Sequence, residues 1–241
     1  MLRRMIRTIL AAAAFAAVSA PASAAERRYP VTDFDRVVVE GPYIVRLTAG
    51  TSSSARARGT QAALDRATIE VSGTTLRIRR NRAYWGGNPG APEGPLEIDL
   101  TTRSVRSARL IGPARFEVDR VEGLRVDLIV EGSGELRATN VRADNLSLGL
   151  AGAGRLEVAG TAEALTADIQ GTGDVDASAL RAENANITTT TTGSVAATVT
   201  EEARVTALGL GEVTILGRPA CTLRGANASL VRCGSDQGQQ R

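Results

Sequence analysis

The sequence predicts an all-β protein, a parallel β-solenoid of about seven 20-residue coils behind an N-terminal β cap. Three observations carry this reading. A unit of about 20 residues starts at 92, 112, 132, 152, 171, 191 and 209, and its opening seven residues read PEGPLEI, GPARFEV, GSGELRA, GAGRLEV, GTGDVDA, TTGSVAA and GLGEVTI. Places five and seven are apolar in every unit, so they share one face of a strand, where side chains alternate with period two. Aromatic residues make up only 3% of the 241 residues, so the core must be layered from small aliphatic side chains. A unit this short cannot bury its own apolar face, whereas stacked copies bury a continuous column. An antiparallel sandwich with glycine hairpins every ten residues would not hold a two-strand register so regularly.

The chain opens with an export signal, residues 1–24. Arg3, Arg4 and Arg7 precede an apolar run from Ile9 to Val18, and Ala22-Ser23-Ala24 forms a small-residue site that places cleavage between Ala24 and Ala25. The apolar run is too short to span a bilayer, no cysteine follows the cleavage site, and a general secretory signal fits better than a twin-arginine one. Residues 25–233 then form a single domain, periplasmic or at the cell surface, with no membrane span in the mature chain.

Residues 34–80 do not follow the repeat. Val37–Val39, Ile44–Leu47, Ile69–Val71 and Leu76–Ile78 read as strands, with Ser72-Gly73-Thr74 turning between the last two. A solenoid needs its terminal coil covered, and this arginine-rich section is expected to be that cap. The stretch Arg82 to Pro95 is the most loop-like, and Tyr84, Trp85 and Asn88 within it are the expected contacts for a glycan or protein partner. In the coils, place five holds Leu96, Phe116, Leu136, Leu156, Val175, Val195 and Val213. A second set of inward positions comprises Leu128 and Val130, Leu148 and Leu150, Ala167 and Ile169, and Val205 and Ala207. The small third place marks corners where each coil sits directly on the next. Gly217-Arg218-Pro219 ends the pattern, Cys221 and Cys233 are expected to bond in an oxidising compartment, and residues 234–241 are expected to be disordered.

Composition excludes much chemistry. All 29 basic residues are arginine and histidine is absent, which removes Ser-His-Asp and Cys-His catalysis, HExxH zinc sites, the P-loop lysine and Schiff bases. With the three signal arginines gone, 26 basic residues face 26 acidic ones, so general affinity for nucleic acid is not indicated. Asp174 and Asp176 lie two apart on one strand and resemble a carboxylate pair; they are read as outward, solvated positions beside inward Val175 and Ala177. No cofactor, metal site or catalytic residue is expected.

The chain resembles the auto-transporter adhesin head GIN domain family of exported bacterial proteins. The matching features are Phe34-Asp35-Arg36-Val37 with Gly41, Ile44-Val45-Arg46-Leu47, the step from Gly73 to Ile78, the serial GxG corners, and Gly217-Arg218-Pro219. Only Gly132-Ser133-Gly134 reproduces the family's frequent GSG corner in full. The resemblance spans about residues 34–219 and implies an all-β repeat fold outside the cytoplasm without catalytic residues. The resulting expectation is a non-catalytic envelope or surface module that binds a partner or supports structure, the alternative being a polysaccharide-cleaving enzyme on a β-helix.

Overall fold

A computed structural model describes residues 25–81 and 94–235. In chain order, β1 (Ala25–Tyr29), β2 (Arg36–Glu40), β3 (Tyr43–Ala49) and β4 (Ser54–Gly59) precede the helix α1 (Gln61–Arg66), then β5 (Ala67–Ser72) and β6 (Thr75–Arg80). Next come β7 (Leu96–Thr102), β8 (Ser107–Ile111), β9 (Arg115–Val118) and five long strands that bend from one side of the stack to the next. These are β10 (Val121–Gly132), β11 (Glu135–Gly152), β12 (Arg155–Gly171), β13 (Asp174–Thr191) and β14 (Val195–Ala207). β15 (Val213–Leu216), β16 (Ala220–Arg224) and β17 (Val231–Ser235) close the chain.

From β8 onward the pairing is parallel, and six turns stack in sequence order: residues 107–118, 121–138, 141–158, 160–177, 180–198 and 202–216. Phe116, Leu136, Leu156, Val175, Val195 and Val213 are successive partners, one column with no more than 3% of any side chain exposed. The second inward set is buried as expected. Full burial of each such side chain contributes about 1.5–3 kcal/mol, which is why the period holds where the corner residues vary. Each full turn also has a third side, Val121, Val141, Gly160 and Leu180 in one row, whose apolar members are fully buried.

Two expectations about the start of the stack are corrected. The seven repeat units do not stack as seven consecutive turns, because the unit at 92 does not lie on the unit at 112. β3 intervenes: Val45 pairs with Ile98 of β7 on one side and Phe116 of β9 on the other. β2 is likewise held between β6 and β8. So residues 36–49 are an interior coil, not part of a cap. Apolar alternation in Val37, Val39, Val45 and Leu47, all buried, demands cover on both sides, and only an interior place supplies it.

The cover of that end is narrower than residues 34–80. β5 returns antiparallel on β6, β4 runs antiparallel on β7, and β1 antiparallel on β4. α1 connects β4 to β5; Thr60 caps it by accepting from the Ala63 N–H, and its Ala63 and Leu64 are buried in the core. Arg27 of β1 ties the helix down through Asp65 at 2.6 Å and the Leu64 carbonyl at 3.2 Å. At the far end Cys221 and Cys233 are bonded, and β17 runs to Ser235, two residues past the expected domain limit.

Candidate binding surfaces

The three sides of the stack differ in what they present outward. On the side carrying β9 and β15, charges of opposite sign alternate from turn to turn: Arg115, Glu135, Arg155 and Asp174 form one row of register partners. Arg46, Glu117, Arg137 and Glu157 form a second. Ion pairs span these rows, with Arg115–Glu135 at 3.0 Å, Arg155–Asp174 at 3.4 Å and Arg137–Glu157 at 2.9 Å. Exposed pairs of this kind contribute little stability; opposite charges face each other along both rows as far as Glu157, whose next partner is Asp176.

Asp174 and Asp176 sit on this side, and both carboxylates are engaged. Asp174 accepts hydrogen bonds from the Ser194 backbone N–H at 2.8 Å and hydroxyl at 2.7 Å, one turn further on. These bonds, the backbone one foremost, hold its pKa below the ordinary carboxylate value, with Arg155 adding to the effect. Asp176 accepts from the backbone N–H and hydroxyl of Ser178. The pair closes a corner and is not poised as an acid and a base.

A groove of about 950 Å³ lies at the corner after the third side, bordered by Glu122, Arg142, Asp144, Glu163, Arg181 and Glu183. Its floor is small: Gly123, Ala143, Ala162 and Ala182 are successive register partners. One wall is the row Glu122, Arg142, Thr161, Arg181. The other wall holds Asp144, Glu163 and Glu183, each next in sequence to its floor residue, so like charges stack on neighbouring strands. Like charges on neighbouring strands repel, the reverse of the alternating side. Leu124, 76% exposed, stands at the groove's mouth. Among the described residues, Asp144, Glu163, Arg181 and Glu183 take part in no ion pair, while Arg142 reaches Glu122 at 4.0 Å.

The two inward stretches per unit read from the sequence leave these residues unassigned. The available signal was the acid recurring at 144, 163 and 183, one per unit and directly after an alanine. Tyr84, Trp85 and Asn88 lie outside the described residues, as does the cleavage residue Ala24; Ala25 begins β1. Arg80 and Gly94, which flank the tyrosine–tryptophan segment, line a smaller cavity of about 290 Å³ with Pro42, Tyr43 and Arg66. Burial raises the pKa of Tyr43 there. No helix among the described residues is long and apolar enough to cross a membrane, and no group of three or more candidate metal ligands occurs among them.

A solenoid whose outward faces carry ion ladders and a polar groove defines a β-repeat module. The family model described as "Putative auto-transporter adhesin, head GIN domain" matches residues 33–219, and the chain belongs to that family. Solved structures share the fold at low identity. A "putative adhesin" from Bacteroides fragilis has a TM-score of 0.74 at 17% identity, covering 84% of this chain and 94% of that one. A "Putative lipid binding protein" from Parabacteroides distasonis has a TM-score of 0.67 at 19% identity, with 88% and 95% covered. A "putative adhesin" from Parabacteroides merdae has a TM-score of 0.61 at 15% identity, with 84% and 92% covered. No curated protein matches the chain.

Proposed function

We propose that this chain is a non-catalytic binding module of the bacterial envelope or cell surface, exported by residues 1–24 and cleaved before Ala25. The observation that carries the reading is the groove, whose acidic wall stacks like charges without ion pairs while the neighbouring side pairs most of its own. A wall that costs repulsion in the free protein is offset when a polar ligand supplies donors and positive charge along the same repeat. The groove's lining favours a glycan or an extended protein segment over an acyl chain. The engagement of both Asp174 and Asp176 by serines argues against the polysaccharide-cleaving alternative, since neither carboxylate is left to face a glycosidic bond. Tyr84, Trp85 and Asn88, which fall between β6 and β7 in the sequence, are the second contact of this reading.

A glycan array probed with the protein from Ala25 onward tests this. Binding is expected and should weaken at least tenfold in Arg181→Ala/Glu183→Ala, while Trp85→Ala should cost about 1–3 kcal/mol if the ring is an anchor. Glycan binding untouched by any of these changes, or a polysaccharide-degrading activity abolished by Asp174→Asn, would overturn the reading.

A further inference from the structure

The groove at the corner after the third side restricts the chemistry of what can lie in it. Its residues come from successive turns, so it runs along the stack, across the strands. Its border holds four acids against two arginines. Neighbouring strands lie about 4.8 Å apart, and Asp144, Glu163 and Glu183 recur on consecutive turns at that interval. Arg142 and Arg181 stand two turns apart, about 9.6 Å, with Thr161 between them. One turn before Asp144 the same place holds Leu124, 76% exposed. From Gly123 to Ala182 the floor carries no side chain longer than a methyl, and Ala143, Ala162 and Ala182 each lie between two neighbours in parallel ladders. An extended peptide is held by an open strand edge and read by pockets for alternate side chains. This floor offers neither.

We infer that the groove takes an unbranched glycan bearing free amines, laid along the stack. The inference rests on the reading of the groove as a binding site and names the class of its ligand. A sugar ring is close to one strand spacing in length, so such a chain passes about one turn per ring. Where successive rings turn over, ammonium groups come to the acidic wall two turns apart, as Asp144 and Glu183 stand. Glu163, between them, accepts from ring hydroxyls. Hydroxyls on the opposite edge accept from Arg142 and Arg181 at the same two-turn interval. The C–H faces of the rings lie on the small floor and against Leu124. Ammonium groups offset the repulsion among the three stacked carboxylates, and N-acetylation of the same sugars removes the charge that does so.

Isothermal titration calorimetry on the protein from Ala25 onward tests the inference, at mildly acid pH where the carboxylates are ionised and the sugar amines protonated. Three probes are compared: a β-linked glucosamine hexamer, its fully N-acetylated counterpart, and hexalysine. The amine hexamer should bind at least tenfold more tightly than the acetylated one, and that preference should shrink as salt rises. Glu163→Gln/Glu183→Gln should remove the preference. Glu135→Gln/Glu157→Gln, which takes the same charge from the ion-paired side, should leave it in place. Tighter binding of hexalysine, or a preference that survives Glu163→Gln/Glu183→Gln, overturns the inference. So does an acetylated hexamer that binds as tightly as the amine one; if that binding is lost in Arg181→Ala/Glu183→Ala, the groove stands as a glycan site and only the amine requirement falls. Absence of binding by any sugar overturns both readings.

Discussion

Replacing Gly152 by alanine should destabilise the protein far more than the same change at Gly73, although both glycines have positive φ. Gly73 turns the β5–β6 hairpin at φ +61°, within reach of an alanine, and a Cβ there meets nothing within 4 Å. Its replacement should cost about 1 kcal/mol, the left-handed penalty less the entropy removed from the unfolded chain. Gly152 lies at φ +124°, and its Cβ would run into the Gly132 carbonyl oxygen and stand 3.0 Å from that residue's Cα and carbonyl carbon. Relief requires two turns to part. That displaces the bonds from Ala153 N–H to the Gly132 carbonyl at 2.9 Å and from Thr172 N–H to the Gly152 carbonyl at 2.8 Å. At about 1 kcal/mol for each bond, added to the backbone penalty, Gly152→Ala should cost about 2–4 kcal/mol. Urea unfolding followed by far-UV circular dichroism measures both. A difference between the two variants below about 0.5 kcal/mol would refute direct stacking of the corners as the reason for glycine there.

Three further outcomes follow from the same geometry. Leu136→Ala should cost about 2–5 kcal/mol, because its fully buried side chain leaves a cavity between Phe116 and Leu156, whereas Glu135→Ala, which removes an exposed pair with Arg115, should stay within about 0.5 kcal/mol by the same urea assay. Cys221→Ser/Cys233→Ser should lose about 3 kcal/mol on a loop-closure estimate for a separation of 12, and hydrogen exchange should show the loss confined to β14–β17. Asp174 has a folded pKa below its unfolded one, so its contribution is present above the ordinary carboxylate range and disappears as pH falls through the folded value; the stability gap between wild type and Asp174→Ala should close at acid pH, and a gap that persists there would sink the assignment.

The inward columns were legible because burial imposes one requirement on each unit. From Phe116 to Val213 the apolar place five is an unbroken ladder, and period alone finds it. Place in the stack was harder to read. Leu96 occupies place five of its unit, yet it pairs with Tyr43, and Phe116 takes Val45 as its neighbour. Nothing local distinguishes a coil beside its sequence neighbour from one separated by an inserted turn, since both bury the same face. The third side is hard to read from sequence because its strongest apolar signal is one residue per turn, Val121, Val141 and Leu180, with glycine at 160. Thr191 is another such case: it stands where Gly132, Gly152 and Gly171 form the corner, buried, its hydroxyl donating to the Gly173 carbonyl and accepting from the Gly193 N–H. The groove's charges were visible in the sequence, but whether they are paired is a property of the register.

The inserted turn also sets an order of assembly. Val37 needs Leu76 on one side and Ala108 on the other, so the earliest strands of the chain wait for partners about 40 and 70 residues downstream, while later turns find theirs about 20 residues away. Closing the longer segments costs more chain entropy before any contact is gained. A chain that emerges from its N-terminus therefore delivers first the part that locks last. Residues 36–49 lack one of their two neighbours until the chain through about residue 118 has emerged, and that interval is when a chaperone or a protease would meet this protein.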